Sequence, residues 1–199
     1  MIPVTQLVTQ CAPFVAPSTM TAIVRVESGG NPLVILDNTT GQNYYPRSAA
    51  QGAAIIRHLL SIGHSQIDVG IAQVDTENFA AYGLTPTTAL NACTNIRAGA
   101  RILQKDYQRA IATYGPGQAA LYHAFEAYNS GRLVGDPGYA DKILAAAGVP
   151  VFVQGNGHIR YRYRQNYHPF VLHWKDTSKS IPINTHYRLP NLTGAVVWR

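Results

Sequence analysis

Apolar residues recur along most of this chain at helical intervals. Met20, Ile23 and Val24 form one stripe. Ser18-Thr19-Met20, just past Pro17, can open that helix with Ser18 or Thr19 as its cap. Gly29-Gly30-Asn31-Pro32 end it. Ser48-Ala49-Ala50-Gln51 reads as a capping box for a helix reaching about Ile62, with Gly63 as its stop. Asp68 to Val74 read as a loop or tight turn, and a brief helix from Asp75 to Tyr82 is closed by Gly83. Thr85-Pro86 supplies an N-cap with proline at the first helical position. Beyond it Ile96, Ala100, Leu103, Tyr107 and Ala110 carry a long amphipathic period to Tyr114. Gly115-Pro116-Gly117 breaks that helix. The next carries Leu121, Ala124, Phe125 and Tyr128, and the last spans Tyr139 to Ala147. Before residue 150 only Tyr44-Tyr45 suggests an extended piece. The pattern predicts a mainly α protein.

Glu27 stands out against this pattern. It lies four residues after Ile23 and three after Val24, which puts an acid on the apolar stripe at the C-terminal end of its helix. Apolar surroundings desolvate a carboxylate there, and the helix dipole adds negative potential, so both disfavour the charged form. A carboxyl group held neutral near pH 7 suits a general acid. The alternative is a helix-terminal glutamate turned to solvent.

Composition narrows the class. The 199 residues are 46% hydrophobic and 13% charged, as in a soluble globular protein of one domain with an appendage. No run of 18 uncharged apolar residues exists, so no transmembrane helix is expected. The first 17 residues lack Lys and Arg and are broken by Thr, Gln and Pro, a poor signal peptide; export takes another route or a leader is missing from the sequence. The net charge of +6 is unevenly spread. Residues 1–150 hold nine basic and nine acidic residues, whereas 151–199 hold seven basic residues and the single acid Asp176. With Gly148-Val149-Pro150 and Gly155-Asn156-Gly157, that shift divides the chain into a domain of residues 1–150 and a basic, aromatic extension of residues 151–199. In the extension, His158-Ile159-Arg160-Tyr161-Arg162-Tyr163-Arg164 alternates in strand fashion. It suits contact with nucleic acid or with an anionic polymer or membrane surface; a short packed hairpin or a partly disordered tail is the plainer reading. The histidines are scattered, His58 and His64 among them, so no metal site is expected. No phosphate loop, nucleophile elbow or dinucleotide fingerprint is present, and no cofactor is implied.

Three segments stand in order: Glu27-Ser28-Gly29-Gly30-Asn31-Pro32, Gly70-Ile71-Ala72-Gln73-Val74 and Ala127-Tyr128-Asn129-Ser130-Gly131. They resemble the Glu-Ser, Gly-Leu-Met-Gln and Ala-Tyr-Asn-Ala-Gly signatures of the lysozyme-like, Slt-type lytic transglycosylases and their goose-type lysozyme relatives. Asn91 to Leu103 and Gly138 to Leu144 resemble two further helices of that family. The similarity is strongest to the small transglycosylases of type IV secretion and conjugation systems, which share a two-cysteine arrangement. Ile71-Ala72 and Ser130 depart mildly from the family pattern.

The resemblance implies a helical lysozyme-like fold, a periplasmic location, and peptidoglycan and secretion-system proteins as partners rather than nucleic acid. It implies Glu27 as sole acid/base, cleaving the bond from N-acetylmuramic acid to N-acetylglucosamine with a 1,6-anhydro product. Ser28, Gln73, Tyr128 and Asn129 would support substrate or carboxyl, and Gly70 would admit close backbone approach to the glycan. Each has a structural alternative: ending a helix, stabilising a turn or bracing a loop. Glu126 and Asp68 are the other acids weighed. Glu126, two positions from Tyr128, is expected to face away from the site, and Asp68 to cap the turn. Cys11 and Cys93 are two buried thiols or, as the resemblance and an oxidising compartment imply, a disulfide.

Overall fold

In the computed structural model, residues 2–148 are described, together with two short strands at 152–153 and 159–160. The rest of the extension, including most of the basic run 158–164, lies outside the described residues. The elements are α1 (Val4–Cys11), α2 (Pro17–Ser28), β1 (Ile35–Asp37), β2 (Gln42–Tyr44), α3 (Ala49–Ser61), β3 (Ile67–Val69), β4 (Val74–Asp75), α4 (Phe79–Tyr82), α5 (Ala92–Tyr114), α6 (Gln118–Ser130), α7 (Pro137–Ala146), β5 (Phe152–Val153) and β6 (Ile159–Arg160). Short 3₁₀ turns occupy Thr76–Asn78 and Thr88–Leu90.

Most helix ends follow their local chemistry, with three corrections. α2 begins at Pro17 itself, with Met20 N–H donating to Ala16 O (3.1 Å). Proline lacks an N–H and suits the first helical position, where none is needed. At α3 the Ser48 hydroxyl accepts from Gln51 N–H (3.2 Å), but Gln51 Oε1 reaches back to the N–H of Arg47 (2.8 Å), one residue earlier than a capping box requires. Thr85 caps only a 3₁₀ turn, receiving Thr88 N–H on its hydroxyl (3.1 Å). The long helix α5 starts later, where Asn91 Oδ1 accepts from the N–H of Thr94 (3.0 Å). α7 has Asp136 as its cap, accepting from Gly138 N–H (2.8 Å), and Pro137 in its first turn.

The stretch read as a loop around residue 70 is instead a hairpin within a four-stranded antiparallel sheet of order β2-β1-β3-β4. Strands of two or three residues are too short to show the alternation by which strands are recognised. Pairing across the sheet holds them: Ile35 opposes Val69 and Asp37 opposes Ile67, and all four are buried. Asp37 is fully buried because its carboxylate is satisfied. Oδ1 accepts from Thr39 N–H (3.0 Å), and Oδ2 accepts from the Thr40 hydroxyl (2.6 Å) and from His64 Nδ1 (2.9 Å). The Thr40 hydrogen bond, with those from Thr39 and His64, holds the Asp37 carboxyl below its usual range against the effect of burial. β5 and β6 form a separate antiparallel pair, with Phe152 opposite Arg160.

The residues group into two units, one of residues up to Pro13 and Ile23–Arg101, the other of Phe14–Ala22 and the described residues from Ile102 onward. The first buries Val8, Ile23, Ile35, Ile56, Ile67 and Ile96; the second buries Met20, Leu103, Phe125 and Ile143. In the first, Cys11 and Cys93 are joined by a disulfide, with Cα atoms 5.1 Å apart at a sequence separation of 82. It fastens the end of α1 to the first turn of α5. Closing a loop of that size removes conformational freedom from the unfolded chain, an effect of about 2–4 kcal/mol. Reduction, or the paired substitution Cys11→Ser and Cys93→Ser, is expected to lower unfolding free energy by about that amount in urea titrations. An unchanged midpoint after complete reduction would show that the bond does not carry this share of the stability.

Candidate active site

Two of the three sequence segments meet in the first unit through one hydroxyl. Ser28, the last residue of α2, donates from Oγ to Ile71 O at 2.7 Å and lies 3.2 Å from Val24 O, while Gly30 N–H donates back to Oγ at 3.1 Å. The residue after Glu27 is thereby tied to the β3–β4 turn. Gly29 and Gly30 both have positive φ, which stops the helix directly after this contact. Glu27 itself is half-buried on the last turn of α2.

The turn, residues 70–73, is built around a buried side chain to which the sequence reading assigned no role. Asn95 of α5 has no exposed surface. Its Oδ1 accepts from Ala72 N–H (2.8 Å), and its Nδ2 donates to Val69 O (2.8 Å) and Ala89 O (2.9 Å). The amide thus replaces water for three backbone groups that would otherwise be unsatisfied. Asn95 lies four residues before Gly99 and eight before Leu103 on the inward face of its helix. A carboxamide at such a position is the signal by which it can be found. Gly70 has φ of 82°, and a Cβ there would lie 2.6 Å from Ala89 O and 2.8 Å from Asn95 Nδ2. The close approach that requires glycine here is that of Ala89 and Asn95.

Gln73 holds a left-handed backbone, φ 46°, the single non-glycine residue to do so among the described residues. Its Nε2 lies 2.7 Å from Gly70 O and 3.2 Å from Val34 O, donating to both. These bonds close the turn and offset a conformation that costs an L-residue of order 1 kcal/mol. They also aim the side chain.

Beside the turn, Asp68 and Asp75 are directly opposed across β3 and β4. Burial raises the Asp68 carboxyl above its ordinary range despite a hydrogen bond from Asn38 Nδ2 (2.9 Å). Burial also pushes Asp75 up to about 6, against a hydrogen bond from Glu77 N–H (2.6 Å), with the Asp68 and Glu77 charges adding to the rise. Asp68 therefore does not cap the turn. It sits within a strand, and the turn is closed by Gln73.

Tyr128 and Asn129 belong to the second unit, on the last turn of α6, half-buried and exposed respectively. Just upstream, Glu126 is only 4% exposed. Its Oε2 lies 2.6 Å from His123 Nδ1, which is also 2.8 Å from Leu133 O. Both neighbours accept, so Nδ1 carries the proton. The imidazole stacks on Tyr114 with centroids 3.9 Å apart. Asp141 of α7 is 5% exposed and takes a hydrogen bond from the Tyr122 hydroxyl (3.3 Å). Burial, with the Glu126 and Asp136 charges, pushes Asp141 up to about 6 in spite of that bond, and burial raises the Tyr122 hydroxyl as well. Ser130 Oγ donates to Glu126 O (2.7 Å) and accepts from Arg132 N–H (3.3 Å), shaping the exit of α6. These groups serve the α6–α7 region. Among the described residues no group of His, Cys, Asp and Glu is arranged to hold a metal ion.

Comparison with known families decides what this combination belongs to. The family described as the transglycosylase SLT domain matches residues 7–135, a span that contains all three segments. The chain is a member of the SLT transglycosylase family. Among relatives, the protein virB1 of Rhizobium radiobacter is 41% identical over 140 residues, covering 69% of this chain and 58% of the relative. The protein virB1 of Agrobacterium fabrum is 39% identical over 140 residues, 69% of this chain and 56% of its own length. The type IV secretion system protein virB1 of Brucella abortus is 38% identical over 159 residues, 75% and 66%. The chain thus spans somewhat more than half the length of the first of these relatives. No solved structure matches. The lysozyme-like, mainly helical fold expected from the sequence is that of the SLT family, here with a small sheet that carries the Gln73 turn.

The Asp75 shift has a stability consequence with a definite sign. A carboxyl raised on folding contributes stability below its unfolded value, near 4, and loses it as pH rises through about 6. Asp75→Asn keeps the acceptor toward Glu77 but removes the charge. Allowing for solvent screening at a half-buried site, it is expected to be about 1 kcal/mol more stable than the parent at pH 7.5 and equal to it near pH 4. Urea midpoints across that pH range check this, and a gap that does not close on acidification would contradict it.

Proposed function

We propose that this SLT family member is a peptidoglycan lytic transglycosylase in which Glu27 serves as both acid and base. The observation that carries the reading is the Ser28 Oγ to Ile71 O contact, which fixes the end of the Glu27 helix to the turn bearing Gln73. Glu27 donates its proton to the glycosidic oxygen between N-acetylmuramic acid and N-acetylglucosamine as the C1–O bond breaks. The resulting carboxylate takes the proton of the muramoyl C6 hydroxyl while that oxygen bonds to C1, giving the 1,6-anhydro sugar without water. One carboxyl group then performs both transfers, whereas the common hydrolytic schemes need two.

In this reading Ser28 orients the end of α2, and Gln73, whose Nε2 holds the turn, offers Oε1 to an acetamido N–H of the glycan. Gly70 serves by letting Asn95 and Ala89 pack on the turn. Tyr128 supports the carboxyl and Asn129 binds sugar. No cofactor is needed. The name of the Brucella relative, a type IV secretion system protein, supports a place beside a type IV secretion or conjugation apparatus, where the enzyme opens the wall locally from the periplasm. The described residues contain no helix long and apolar enough to cross a membrane.

One observation favours a second reading. Asp68 and Asp75 lie in the same unit as Glu27, and a further carboxyl group is what activation of water by a hydrolytic muramidase requires. Digestion of purified sacculi with mass analysis of the products separates the two. Anhydro-muropeptides are expected from the parent, and Glu27→Gln is expected to lose roughly a thousandfold in rate. Reducing ends in place of anhydro products would assign the hydrolytic course. A Glu27→Gln protein as active as the parent would remove Glu27 from the chemistry, and an inert parent would leave a glycan-binding scaffold.

A further inference from the structure

The turn at residues 70–73 is closed by Gln73 N–H donating to Gly70 O (3.2 Å), the bond that joins the ends of a β-turn. That closure does not engage the middle peptide unit, Ile71 C=O with Ala72 N–H. In β-turns this unit is set least by the turn itself. Types I and II differ chiefly by its rotation, while the ends of the turn stay together. Here two side chains hold it from opposite ends. Asn95 Oδ1 accepts from Ala72 N–H (2.8 Å), and Ser28 Oγ donates to Ile71 O (2.7 Å).

A trans peptide unit is planar and rigid, and among the described residues no peptide bond is cis. Its C=O and N–H point in opposite directions, so Asn95 and Ser28 are linked end to end through one plane. The inner end of this bridge is immobile: Asn95 has no exposed surface, and its Nδ2 donates to Val69 O (2.8 Å) and Ala89 O (2.9 Å). The outer end is Ser28, next to Glu27 on the last turn of α2. Hydrogen bonds in series polarise one another, so the bond from Ala72 N–H to Asn95 makes Ile71 O a stronger acceptor for Ser28. Glu27, Ser28, Ile71, Ala72 and Asn95 all belong to the first unit.

We propose that Asn95 is a positioning residue for catalysis, holding Glu27 in place through the Ile71–Ala72 peptide plane and Ser28. The proposal rests on the transglycosylase reading for the reaction that is measured. Asn95 is buried away from any glycan and acts only through the bridge. A core amide that merely stabilised the turn would be independent of Ser28, whereas the bridge makes the two residues interdependent.

A double-mutant cycle of Asn95→Asp and Ser28→Ala tests it on soluble peptidoglycan fragments, with glycan bonds cleaved counted whatever the product. Aspartate keeps the acceptor for Ala72 N–H. Ionised, it sets a second acceptor against Val69 O and Ala89 O; protonated, it donates to one of them. Rates are taken relative to the parent at each pH, which cancels the titration of Glu27, Asp68 and Asp75. On that scale kcat of Asn95→Asp is expected to fall about a hundredfold near pH 8, with KM within about twofold. It is expected to recover to within about fivefold near pH 5, where a buried carboxyl is neutral. Ser28→Ala is expected to cost about tenfold, and the double variant no more than Asn95→Asp alone. Losses that multiply, a loss confined to KM, or full activity of Asn95→Asp near pH 8 would each overturn the proposal. Amide resonances read the same bridge with Asn95 in place. Ser28→Ala is expected to shift the Ala72 N–H and Asn95 carboxamide signals, and unshifted signals would also overturn it. An inert parent, or reducing ends among its products, would count against the transglycosylase reading alone and leave the resonance test to decide the bridge.

Discussion

The shape of the candidate site depends on the carboxamide of Asn95. Three backbone groups from two separate stretches, Val69, Ala72 and Ala89, have no water within reach and converge on this side chain. A buried carbonyl or N–H left without a partner costs on the order of 1–3 kcal/mol, so the amide fixes the path of the chain and does more than fill space. It stands so close to Gly70 that no Cβ fits there. The left-handed Gln73 closes the same turn, and Ile71 O is then in place to receive Ser28. The dependence runs from the interior outward: an amide on α5 orders a turn, and the turn holds the end of the helix that carries Glu27.

That hierarchy explains what the sequence reveals and what it hides. Helix boundaries are encoded within a few residues, by Gly29-Gly30 and by Ser48, and they are legible. The start of α5 was misread because Thr85-Pro86 and Asn91 both carry N-terminal chemistry, and only tertiary packing decides which one opens the long helix. The sheet left no local trace. Its strands are two or three residues long and exist through pairing between stretches as distant as Ile35 and Val69. The candidate site residues were legible as motifs in order, but the reason for Gly70 was not, since it lies with Asn95 and Ala89, some twenty residues away. Asp75 was likewise read only as the start of a helix. Its position opposite Asp68 is a fact of strand register.

Charge shows the same limit. Counting residues over the body gives zero, yet burial removes acids selectively from the surface. The selection has a local cause in three cases, where the partner lies three residues away: Thr40 for Asp37, Arg109 for Asp106 and His123 for Glu126. A short-range hydrogen bond satisfies each carboxylate before tertiary packing covers it, which lowers the cost of burying it. The basic side chains have long apolar stems and reach water instead.

The Cys11–Cys93 bond also sets an order of events. The link joins residues 82 apart, so it closes only after the N-terminal helix and the start of α5 have both been made and brought together. A chain kept among reducing thiols lacks it, and one that reaches an oxidising compartment acquires it. The covalent link therefore distinguishes a chain that has met an oxidising compartment from one that has not.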